Sequence, residues 1–219
     1  MHDKLDGIGE TGLQFYGIIT ASVSHEIKNV LAIINENAGL LEDLTSMADR
    51  GQPLVPARLK MMATALQKQI GRANEILNNM NRFAHSIDET VAEVDLNQTI
   101  ELFMALADRF TVMRGVKVDL MLPENPVTIP TAPFFLLNLL WLCLDFYMSA
   151  GSDEKRVELV AEETEDGVRI RFRRLAGVSE TMLETFPSDR EKDLLAKLAA
   201  DLTKDPQGQE IVLRLFKNI

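Results

Sequence analysis

Apolar positions recur at alternating spacings of three and four along Leu13, Tyr16, Thr20, Val23, Ile27, Val30, Ile34, Asn37, Leu41, Leu44 and Ala48. That period is the seam of a long amphipathic helix, predicted over residues 11–49. Arg50-Gly51-Gln52-Pro53-Leu54-Val55-Pro56 then supplies a run of breakers. A second helix is predicted over residues 57–87 on the phase Leu66, Ile70, Ala73, Leu77, Met80, Ala84 and Ile87. Two long helices on a short turn make an antiparallel hairpin. One hairpin leaves much apolar surface bare, so two copies are expected to pair as a homodimeric four-helix bundle. Asn37 is either a polar seam residue that fixes register or a residue at the bundle edge.

Inside the first helix lies Ser24-His25-Glu26-Ile27-Lys28-Asn29. His25 is two residues from Val23 and two from Ile27, off the seam, so its imidazole is expected to face water or a visiting protein. A ring nitrogen placed there is open to phosphorylation by whatever docks. These six residues, followed by Val30-Leu31-Ala32-Ile33-Ile34, resemble the phosphoacceptor box of sensor histidine kinases, S-H-E-[IL]-[RK]-[NT]-P-L. The departure is Val30 in place of proline, which implies a straighter helix past the histidine. The bland alternative is an exposed histidine in a charged helix patch.

The chain has 219 residues, 46% of them hydrophobic, enough for a substantial core in one or two domains. Its 33 acidic and 23 basic residues give a net charge of -10 with no basic cluster, which disfavours nucleic acid as a partner. The single cysteine, Cys143, lies in an apolar run, so neither a disulfide framework nor a thiol metal site is expected. The N-terminus has no apolar signal-like stretch, and the most apolar segment, residues 132–144, is shorter than the ~20 residues needed to span a bilayer. A cytoplasmic location without membrane partners is expected.

After the hairpin the pattern changes to short strands alternating with helices. Strands are predicted at residues 94–96, 116–122, 127–129, 156–161, 168–174 and 210–216, with helices at 98–113, 133–150 and 188–203. Such an order implies an α+β fold, one sheet with helices on one face. Val94-Asp95-Leu96-Asn97 leading into a helix, then Gly115-Val116-Lys117-Val118, resembles the start of the histidine-kinase ATP-binding domain. The division expected is a dimerisation and phosphoacceptor hairpin over 1–90 and a degenerate ATPase-like domain over 91–219.

That resemblance implies an ATP site, and the residues that would build it are gone. The magnesium-coordinating asparagine of the family's helix falls on Leu142 or, in a shifted register, on Asp145. The adenine-binding aspartate falls on Arg173, a donor where an acceptor is needed, and of the D-x-G-x-G loop only Gly177 is kept. The long lid and second glycine motif, whose backbone N–H groups approach the phosphates, are replaced by Phe186-Pro187-Ser188-Asp189-Arg190 running straight into the next helix. Trp141, Leu142 and Phe146 suggest an old nucleotide pocket filled with side chains.

A phosphoacceptor beside a defunct ATP site resembles the ChpT-type histidine phosphotransferases, with the sporulation phosphorelay phosphotransferase a similar solution. Asn138-Leu139-Leu140-Trp141-Leu142-Cys143 is similar to their degenerate helix, and the likeness loosens after Cys143. The resemblance implies a phosphotransferase rather than an ATP-dependent kinase: His25 shuttles phosphoryl groups between response-regulator receiver domains. By the same analogy Glu26 orients or deprotonates His25, Lys28 pairs with phosphate oxygens, and Asn29 stands where some kinases position water. No cofactor is expected on this chain, magnesium belonging to the receiver. The alternative is a pseudo-histidine-kinase that binds a kinase or response regulator without transfer; an atypical ATP-dependent kinase is the weakest alternative.

Overall fold

The computed structural model describes residues 2–149, 155–174, 178–205 and 207–217. Two helices come first, α1 (His2–Asp49) and α2 (Pro56–His85), joined by the breaker-rich turn. They are followed by β1 (Ala92–Asp95), α3 (Leu96–Arg114), β2 (Lys117–Met121), β3 (Thr128–Thr131) and α4 (Pro133–Ser149). The remainder is β4 (Arg156–Glu163), β5 (Gly167–Arg173), α5 (Glu180–Thr185), α6 (Asp189–Lys197), β6 (Asp201–Asp205) and β7 (Glu210–Phe216). The chain is therefore α+β, and it divides into two compact units. One is the hairpin segment Ile18–Asn81; the other joins residues up to Gly17 with those from Arg82 onward.

In the hairpin segment, burial follows the predicted α1 seam only in part. Val30 and Leu44 are buried and Val23, Ile27 and Ile34 half-buried, while Leu41 is exposed. α1 passes through Val30 without a break. On α2 the predicted phase is incomplete. Ile70 and Leu77 are about half exposed, and the inner stripe runs instead through Met62, Leu66, Ala73, Ile76 and Met80. The reason is that α2 carries two apolar stripes sharing Leu66, Ala73 and Met80, and a single-chain period cannot select the one that is covered.

The other unit is a five-stranded mixed sheet in the order β2-β4-β5-β7-β6, with a small β1-β3 pair beside it. Only β2 and β4 run parallel. β5 shows why the sheet has two characters. Val168, Ile170 and Phe172 are buried, and Arg169, Arg171 and Arg173 alternate with them on the opposite face. There they meet acids on the neighbouring strands: Arg169 with Glu162 at 3.1 Å, Arg171 with Glu210 at 2.7 Å. α4 is buried along much of its length, its residues from Leu136 to Leu144 all covered, and it packs against α3 and α6. Leu13, predicted on the α1 seam, is largely exposed, whereas Phe15 is buried in an aromatic cluster with Phe83, Phe134 and Trp141.

Local signals set several boundaries. Asp95 caps α3, accepting from the Gln98 N–H at 3.1 Å, and Gly115 ends it in the left-handed region at φ 69°. At Gly167 an added Cβ would fall 1.9 Å from the Leu215 carbonyl oxygen, so the β5–β7 approach needs glycine there. Two expectations fail. The helix predicted over 188–203 stops at Lys197, and residues 201–205 are instead an edge strand paired with β7. Ala199 takes φ 47° at the turn, a conformation that costs an alanine roughly 1–2 kcal/mol and that no glycine announces. Short α5 was not predicted. Lys204 of β6 ties its end down, donating to the carbonyls of Leu183 and Phe186 at 2.5 and 2.7 Å.

Candidate functional site

Four residues of the hairpin segment were expected to carry chemistry. His25, Lys28 and Asn29 are exposed on α1, as the off-seam phase requires. Glu26 is turned inward, its side chain 17% exposed, and meets Arg72 of α2 at 3.6 Å. Among the described residues His25 makes no side-chain hydrogen bond, so its ring nitrogens are open to an incoming group. The structure thus brings Glu26 together with a residue the sequence reading missed. Glu26 lies 23 residues before the end of α1 at Asp49 and Arg72 16 residues after the start of α2 at Pro56, so counting outward from the turn does not pair them. Asn37 donates to the carbonyl of Ile33 at 2.8 Å, a bond to its own helix and not a cross-hairpin pair.

The region where the resemblance implies a nucleotide site lies in the sheet unit. A cleft of about 220 Å³ is lined by Leu142, Asp145, Phe146, Phe186, Arg190 and Glu191 among others. This is smaller than the roughly 300–1,000 Å³ of ordinary ligand pockets. Both positions considered for the lost asparagine line it. Leu142 offers no ligand atom, and Asp145 is engaged by Arg114 at 2.8 Å. Phe146, which also lines the cleft, stacks on Phe186 with ring centroids 4.3 Å apart. Trp141 does not line this cleft; its indole packs on Phe110 at 4.7 Å. Glu191 is buried because it caps its own helix, accepting from the Ser188 N–H at 2.7 Å.

Arg173, where the resemblance implies the adenine-binding aspartate, stands 3.6 Å from Glu158 and 3.8 Å from Glu210. Arg174 follows at φ 61° with its own contact to Glu158 at 2.5 Å. Gly177, the retained glycine, lies outside the described residues. On the edge strand β2 the hydrogen bond from Arg156 holds the Asp119 carboxyl below its usual range, with Lys117 adding to the effect. Burial pushes the Cys143 thiol far above its usual range. Among the described residues no group of three or more His, Cys, Asp or Glu side chains could hold a metal ion, and no helix is long and apolar enough to cross a membrane.

No protein-family model matches the chain, and no curated protein matches it. Solved structures do. The Acinetobacter baumannii histidine kinase AdeS aligns over 89% of this chain and 98% of its own, at 10% identity and a TM-score of 0.50. The fold is similar to that of a histidine kinase. Lower-scoring matches include the histidine kinase ThkA in complex with the response regulator protein TrrA, at 14% identity and a TM-score of 0.47, over 94% of this chain and 63% of that one. A bacterial phosphotransferase matches at 15% identity and a TM-score of 0.45, over 92% and 95%.

Proposed function

We propose that this chain is a histidine phosphotransferase of a two-component phosphorelay, cytoplasmic and homodimeric, working through His25 without ATP. The observation that carries the reading is the pairing of an exposed His25 on a histidine-kinase-like fold with Arg173 at the adenine position, committed to Glu158 and Glu210. The donor is the acyl phosphate of a receiver-domain aspartate. A lone pair on one imidazole nitrogen attacks phosphorus in line, the N–P bond forms, and the P–O bond breaks with its electrons returning to the aspartate as a carboxylate. The other ring nitrogen keeps its proton. A second receiver aspartate then takes the phosphoryl group by the reverse step. Magnesium is held by the receiver, and this chain supplies an aimed, unprotonated nitrogen.

Support for the dimer comes from the second apolar stripe of α2, where Ile70 and Leu77 stay about half exposed, together with Leu31 on α1. A second hairpin would cover them. The receiver is expected on the exposed helix around and after His25 and on residues 71–82 of α2. Incubation with a phosphorylated receiver, set against incubation with ATP and magnesium, tests the reading. Phosphate on His25 from the receiver alone is the expected result. Labelling from ATP would make the chain a kinase, and no labelling from either would leave it a binding protein.

A further inference from the structure

The Glu26–Arg72 contact is the one ion pair described within the hairpin segment, and it has an uneven form. The 3.6 Å separation exceeds the roughly 2.7–2.9 Å of a charge-assisted hydrogen bond. The Arg72 side chain is 53% exposed while Glu26 is mostly covered, so most of the guanidinium's donors remain turned to solvent. The guanidinium is thus parked beside the acid next to His25 and not consumed by it. His25 is the immediate neighbour of Glu26, its Cα ~3.8 Å from that of the residue Arg72 reaches, and both His25 and Arg72 are exposed. A planar fork of N–H donors suits phosphoryl oxygens, which it can hold two at a time.

We propose that Arg72 is the phosphoryl-binding residue of the site: it rests on Glu26 before transfer and pairs with the phosphoryl oxygens once His25 carries them. This rests on the phosphotransferase reading above. Before transfer, Arg72 fixes the Glu26 carboxylate beside the imidazole. After transfer, the phosphoryl group offers more negative charge and more acceptor oxygens than the carboxylate, and the guanidinium moves to it. Phosphohistidine is stabilised relative to free His25, which raises the share of phosphoryl groups held on this protein against the receiver. Lys28, exposed on the same helix one turn on, contributes point charge without the fork.

The test is the equilibrium of phosphoryl groups between a phosphorylated receiver and the full dimeric chain, with kcat and KM for transfer measured beside it. Wild type should be labelled on His25. Arg72→Ala should shift the equilibrium toward the receiver by about tenfold, the scale of one lost charge-assisted hydrogen bond, and lower kcat with little change in KM. Arg72→Lys should recover part of the shift. Thermal unfolding should stay within a few degrees of wild type; if Arg72→Ala folds poorly, Arg72→Gln is read the same way. A labelled wild type with an unchanged equilibrium in the variants overturns the assignment to Arg72 alone, as does an effect confined to KM. A wild type that takes no phosphate from any receiver overturns the phosphotransferase reading and this inference with it.

Discussion

The guanidinium of Arg173 stands 3.6 Å from the Glu158 carboxylate, its direct partner in the β4–β5 register. At the position where the resemblance implies an acceptor for the adenine amino group stands a donor held by a neighbouring strand. Calorimetry with ATP and magnesium should therefore detect no micromolar binding. Arg173→Asp should not restore it, because Leu142 and the shortened lid remain. The substitution should instead destabilise the sheet by about 1 kcal/mol, since it sets a third carboxylate beside Glu158 and Glu210. Tight ATP binding in either protein would mean that the cleft under α4 has been misread.

His25→Ala should abolish labelling by a phosphorylated receiver. His85 is exposed, but its Nδ1 is engaged with Asp88 at 2.7 Å and it belongs to no matching motif. Mass spectrometry under phosphohistidine-preserving conditions should find label on His25 alone, and residual label on the alanine variant would move the site elsewhere.

Light scattering should give twice the chain mass at micromolar concentration, the uncovered Ile70 and Leu77 being buried by a second hairpin. Lys28→Glu should slow transfer severalfold and leave that mass unchanged, because Lys28 is exposed and off the Val23-Ile27-Val30 seam. Docking of an acidic chain should rest on apolar contact and shape, with a weak salt dependence. A monomer, or unimpaired transfer in the variant, would count against the arrangement.

Phe83 is fully buried, edge-on to Phe15 at 5.4 Å and stacked on Tyr16 at 5.5 Å. Phe83→Ala should cost about 3–5 kcal/mol of unfolding free energy in urea, the range for a buried phenylalanine that leaves a cavity. Ile87→Ala, also on an apolar position of the predicted α2 phase but about half exposed, should cost under ~1 kcal/mol.

Cys143 is fully buried, and desolvation raises its thiol pKa in the folded state; Glu191 adds to the effect. A raised folded value adds stability that is complete below the unfolded thiol value and is lost as pH climbs above it. Stability should therefore begin to fall above pH 9.0, the ordinary thiol value. A thiol reagent should leave the native protein unmodified at pH 8 and react fully in denaturant. Rapid native labelling would place the thiol at the surface.

The two helices, the breaker turn and the exposure of His25 follow from a period of three and four, because helical phase is a local property that the chain carries in itself. The departures from the ATP-binding motifs that the resemblance implies are likewise visible as letters, Arg173 and Leu142 having the wrong chemistry for those motifs wherever they sit. Partners are not local. The period could not tell which α2 stripe is covered, since both are apolar and only packing selects Ile76 over Ile70. Residues 198–203 read as helix until pairing with β7 overrides their propensity at the cost of a left-handed Ala199. Arg72 meets Glu26, and Arg173 meets Glu158 and Glu210, only once hairpin and sheet registers are set. Ion pairs between residues far apart in sequence have no periodic signature, so the tertiary structure alone decides them.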